Sequence, residues 1–99
     1  MRKLVISSIS SFALLTTALP QSAKAELDQY SYWYGFVLGA GATMCALLHE
    51  GLVSRTAVVN YSKGFFPEIR NTSPRSARRD AINFIQTQDT MRGCPFREY

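Results

Sequence analysis

YSYWYGFVLGAGATMCALLHEG, residues Tyr30 to Gly51, decides the fold class of this chain. It is the longest apolar run outside the N-terminus, and it carries the only Trp, the only His and one of the two Cys. Wound as a helix at about 100° per residue, it sorts by size. Phe36, Trp33, Val37, Met44, Tyr34 and Cys45 fall on one broad face, with Tyr30, Ala40, Leu47 and Leu48 among them. Ser31, Gly35, Gly39, Ala42, Ala46, His49 and Glu50 fall on the other. Asp28 suits the N-cap, where its charge meets the positive end of the helix dipole. Gly51 suits the left-handed position that closes a helix, with Leu52 placed to pack back on the last turn.

Two glycines on the small face need a reason, since each costs up to about 1 kcal/mol against Ala in a helix interior. Gly35, Gly39, Ala42 and Ala46 form a stripe on which a second helix or a partner backbone can seat closely. The alternative is that they are small exposed positions.

Downstream, Ser54 reads as the cap of a second helix in which Ala57, Val58, Tyr61 and Phe65 recur at spacings of three and four. Gly64 offers an early end to it and Pro67 a firm one, leaving 67–73 as a loop. Ser73 followed by Pro74 predicts an N-cap and a first helical position. The third helix then runs from Pro74 to about Gln88, with Ala77, Ala81, Ile82 and Ile85 inward and Phe84 at the edge. Gly93 stops the region, and Cys94-Pro95 opens an extended tail.

Working back to the start, Arg2 and Lys3, the apolar stretch Leu4–Leu19 and the small-x-small pattern Ala23-Lys24-Ala25 predict a signal peptide over 1–25. Its removal takes three basic residues and no acid, leaving 8 basic against 7 acidic residues and a net charge of +1. Overall charge therefore gives no argument for a nucleic-acid partner. The remaining chain, 26–99, has room for one small helical domain with a marginal core. Export to the periplasm or outside the cell puts Cys45 and Cys94 in an oxidising compartment, which predicts one disulfide between them.

Catalytic patterns are weak. Cys45 and His49 lie at i and i+4, the start of a nucleophilic pair, but a Cys45–Cys94 bond removes the thiol, and Glu50 projects away from His49. The His-Glu pair is not a zinc motif, because no second His exists. The expectation is therefore no enzyme activity, no catalytic residue, no metal and no cofactor. Arg75, Arg78 and Arg79 form the densest charge cluster, with Arg70 nearby. They read as a solvated helix face or as a docking patch for an acidic partner or an anionic surface. Tyr32 projects outward from the aromatic first turn as a second candidate contact.

Tyr30 to Leu48 carries no charge over about the length of a membrane span. The three glycines, Ser31, Thr43 and the tyrosines dilute its hydropathy, and a lone span would leave two amphipathic helices without a core. Membrane anchoring through 30–48 is the alternative to a soluble module.

In layout, GFVLGA (Gly35–Ala40), Cys45, the Gly51-Leu52-Val53-Ser54 turn, an amphipathic helix and a last helix closing on Cys94-Pro95 resemble small periplasmic immunity proteins of the Tai/Rap type. The likeness spans about Tyr34 to Pro95, with Gly35, Gly39, Cys45 and Cys94 as the matching positions. Where that family often has a further Cys, this chain has Trp33 and Tyr34. The resemblance implies a helical inhibitor of a peptidoglycan amidase toxin delivered by type VI secretion. The layout also looks like small exported proteins of marine cyanobacteria with no assigned function. The resulting expectation is an all-α bundle of three helices with one disulfide. It would bind a protein partner through its surface, with no nucleic acid and no catalysis.

Overall fold

A computed structural model describes residues 28–99; the expected signal peptide lies outside the described residues. Three α-helices follow in order: α1, Gln29–His49; α2, Arg55–Ile69; α3, Arg75–Thr87. No strand occurs among the described residues. Tyr30 meets Asp80, the Gly41 backbone meets Ile85, and Cys45 is bonded to Cys94, so α1 and α3 run in the same sense. Phe36 stacks on Phe65 and Arg55 reaches Gly93, so α2 runs against them. The fold is an up-down-up bundle closed by its tail.

The helix ends are set by local chemistry. Asp28 Oδ1 accepts the Ser31 N–H at 2.7 Å, and Ser54 Oγ accepts the Ala57 N–H at 3.0 Å. At the far end of α1, Gly51 takes φ of 78°. The Leu52 N–H then reaches Leu47 O and the Gly51 N–H reaches Leu48 O, a Schellman closure. Leu52 itself stays out in solvent.

Two boundaries depart from the sequence reading. α2 passes through both Gly64 and Pro67 and ends at Ile69. The proline removes one backbone bond near the end of the helix, at a cost of about 3 kcal/mol. Burial of Phe66 and Ile69 in that last turn offsets it, at about 1.5–3 kcal/mol per side chain. At the start of α3, Pro74 is the extended flanking residue and not the first helical one. Ser73 does not cap α3: its hydroxyl donates to Ile69 O at 2.6 Å and so ties off α2.

The core joins Val37 and Cys45 of α1, Val58, Phe66 and Ile69 of α2, Ala81 and Ile85 of α3, and Cys94 and Phe96 of the tail. Phe96 is fully buried against Phe66, with ring centroids 5.1 Å apart. The tail is therefore a core element. Gln86 holds it from both sides, donating to Cys94 O at 3.0 Å and accepting the Gly93 N–H at 2.8 Å.

Gly41 is where the tail and α3 come closest to α1. A Cβ there would meet Ile85 Cδ1, and would lie 2.5 Å from Phe96 Cε2. Gly35 and Gly39 have open space around the same position. At Gly35 and Gly39 the small-residue stripe therefore seats no other helix of this chain, while Ala42 is half-buried and Ala46 exposed. Val37, Gly41 and Cys45, spaced by four, are the inner face. A size-sorted wheel misses it because the middle residue has no side chain.

Candidate functional site

The outward side of α1 builds one candidate. Tyr32, Phe36, Phe65 and Tyr61 stand as a row of nearly parallel rings running from α1 onto α2. Their centroids are 6.3, 5.9 and 5.5 Å apart in sequence along the row. Trp33 sets its edge against Phe36 at 5.3 Å and donates its Nε1–H to Gln29. Tyr32 is 52% exposed and Phe36 46% exposed. Behind the row, Phe65 contacts the buried pair Phe66 and Phe96, so the rings rest on the core and are held in place by it. Gly35 and Gly39, both exposed, lie beside Tyr32 and Phe36 on the same side of the helix, and Ala46 continues that side about 15 Å further along the axis. The surface is a ridge of aromatic rings flanking a floor with almost no side chains.

The corner between α2 and α3 builds the second. Arg78, expected to be a surface contact, is 5% exposed. Its Nε donates to Glu98 Oε1 at 3.0 Å. Its Nη1 donates to Ser73 O at 2.6 Å, Ser73 Oγ at 3.0 Å and Arg70 O at 3.2 Å. A buried cation needs acceptors of this kind, and this one uses the four to stitch the end of α2 to the start of α3. Arg70 reaches the other oxygen of Glu98 at 3.5 Å. Arg75 is exposed, and Arg79 is exposed and bonded to its neighbour Asp80. Arg70, Arg75, Arg78 and Glu98 line a cleft of about 360 Å³. The sequence cluster thus divides into a structural residue, a residue facing the cleft and a residue paired away from it.

Asp80 also accepts the Tyr30 hydroxyl at 2.6 Å, linking α3 to α1. The Tyr30 hydrogen bond, followed by that of Arg79, holds the Asp80 carboxyl below its ordinary value. The same bond to Asp80 raises Tyr30 above its own, with partial burial adding to it.

Cys45 is disulfide-bonded to Cys94, so it offers no thiol to His49. Among the described residues, no three of His, Cys, Asp and Glu gather as a metal site. No family model, curated protein or solved structure matches the chain. Sequence reading singled out Tyr32 and the arginines. It missed the ring row and Glu98, because both depend on neighbours from distant elements. The recurrence of aromatics at 32 and 36 and at 61 and 65, each pair one helical turn apart, was the available signal for the row.

Proposed function

We propose that this protein is a small exported binding module that acts through the aromatic face of α1 and α2 on a protein partner, without catalysis. The observation that carries this is the row Tyr32–Phe36–Phe65–Tyr61, exposed at Tyr32, Phe36 and Tyr61 and backed through Phe65 by a disulfide-locked core. Rigid aromatic rings give large contact area at low ordering cost, and such residues dominate binding energy at protein interfaces. The small-residue floor beside them admits a partner's backbone. An inhibitor or immunity protein is one form of this reading, in keeping with the layout resemblance. The apolar N-terminus and the disulfide are compatible with export.

The test is capture from a periplasmic extract with the native protein and with Phe36→Glu as paired baits, both checked for helicity. A partner held by the native bait and lost with the variant supports the reading. Identical captures, or none, sink it.

A second reading places α1 against a membrane. It is favoured by one observation: α1 is apolar and long enough to span, and only 17% of that stretch is buried in the fold. Against it, Tyr30 is bonded to Asp80, so a spanning α1 would draw the charged start of α3 toward the bilayer. Carbonate extraction separates the two: release into the supernatant supports the soluble module, and retention in the pellet supports the anchor.

A further inference from the structure

We propose that the cleft at the α2–α3 corner is a binding site for a dianionic phosphate group, separate from the aromatic face. Its lining carries three guanidinium groups, from Arg70, Arg75 and Arg78, against the single carboxylate of Glu98. That leaves about two positive charges uncompensated, which matches a phosphate monoester at about −1.5 to −2 near pH 7 and exceeds what a monocarboxylate neutralises.

The donors are left over in the right place. Arg78 is nine-tenths buried, and its Nε and Nη1 are engaged. Its Nη2 donates to no acceptor among the described residues. Arg78 is itself one of the residues that line the cleft. Arg70 spends only its Nε, on a long 3.5 Å contact. Arg75 donates to no acceptor among the described residues, although it has five N–H groups to give. α3 begins beside it with no side-chain cap, because Ser73 is turned back to Ile69. The N–H groups and dipole of that first turn favour an anion.

Glu98 orients the site without filling it. By accepting from Arg78 at 3.0 Å it holds that guanidinium plane, with Arg70 in long contact on its other oxygen, and planar forks of this kind suit the oxygens of a phosphate.

The test is a titration of the disulfide-intact protein with inorganic phosphate at constant ionic strength. It is followed through the backbone amides of Ser76 and Ala77 and the Nε–H of Arg75 and Arg78. Saturable shifts at these groups are expected, with affinity lowered about tenfold in Arg75→Ala, a loss typical of one charge-assisted contact. Arg92→Ala, far along the chain and paired with Asp89, should bind as the native protein does. Acetate should not compete. No saturation, equal displacement by acetate, or full affinity in Arg75→Ala overturns the proposal. Sedimentation with phosphatidylcholine vesicles containing phosphatidic acid identifies the source of the phosphate. Binding that Arg75→Ala abolishes assigns the site to a lipid headgroup. No vesicle binding, with phosphate bound in solution, assigns it to a free monoester. Vesicle binding that Arg75→Ala leaves intact belongs to the apolar side of α1 and counts against the cleft. None of these outcomes depends on the aromatic face having a partner.

Discussion

The ring of Phe96 occupies the space that a side chain at Gly41 would need. The two residues are far apart in the chain, yet each explains the other. The tail enters the core because α1 has a gap there, and α1 tolerates a mid-helix glycine because Phe96 fills the gap.

Gly41→Ala should therefore destabilise the fold by about 1–3 kcal/mol through overpacking against Phe96 and Ile85. Gly39→Ala, in open space on the same helix, should stabilise by up to about 1 kcal/mol. Urea unfolding followed by helical circular dichroism measures both. Equal effects at the two positions would contradict the assignment of the inner face.

Removing the disulfide tests the role of the tail. Cys45 and Cys94 are separated by 49 positions, and closing a loop of that size is worth about 4 kcal/mol in the chain-entropy model. Cys45→Ser should lose a stability of that order, most of what a small domain has. The unfolding midpoint with and without reductant gives the same comparison in the native protein.

Glu98→Gln leaves the buried Arg78 without its carboxylate while keeping the size of the side chain. The expected cost is about 1–3 kcal/mol, because the carbonyls of Ser73 and Arg70 still accept from the guanidinium. A loss visible in the unfolding midpoint is expected. No change would mean that the carbonyls alone satisfy the charge.

The Tyr30–Asp80 bond predicts a pH dependence with a defined sign. The Asp80 carboxyl is held below its ordinary value of 3.8 in the fold. Its contribution is therefore present above that value and fades as the pH falls below it. Tyr30 is raised above 10.0, so its contribution is intact below pH 10 and fades as the pH rises through its value in the fold. Asp80→Asn should flatten the acid side of the stability curve. A curve with the native acid slope in that variant would remove the bond from the account.

Three helices, the caps at Asp28 and Ser54, the stop at Gly51 and the pairing of the two cysteines were legible in the sequence. Each is written within one helical turn or follows from there being only two thiols. What tertiary structure alone decided was the rotation of α1 about its axis, the continuation of α2 through Pro67, the burial of Phe96, and the conversion of Arg78 from a surface charge into a corner stitch. Periodicity and capping are local signals, whereas burial depends on which groups other elements bring in, from 20 positions away for Glu98 on Arg78 to more than 40 for Phe96 on Gly41. A glycine at the centre of an inner face gives a hydrophobic pattern nothing to register. It becomes visible only when the residue that fills its space is in place.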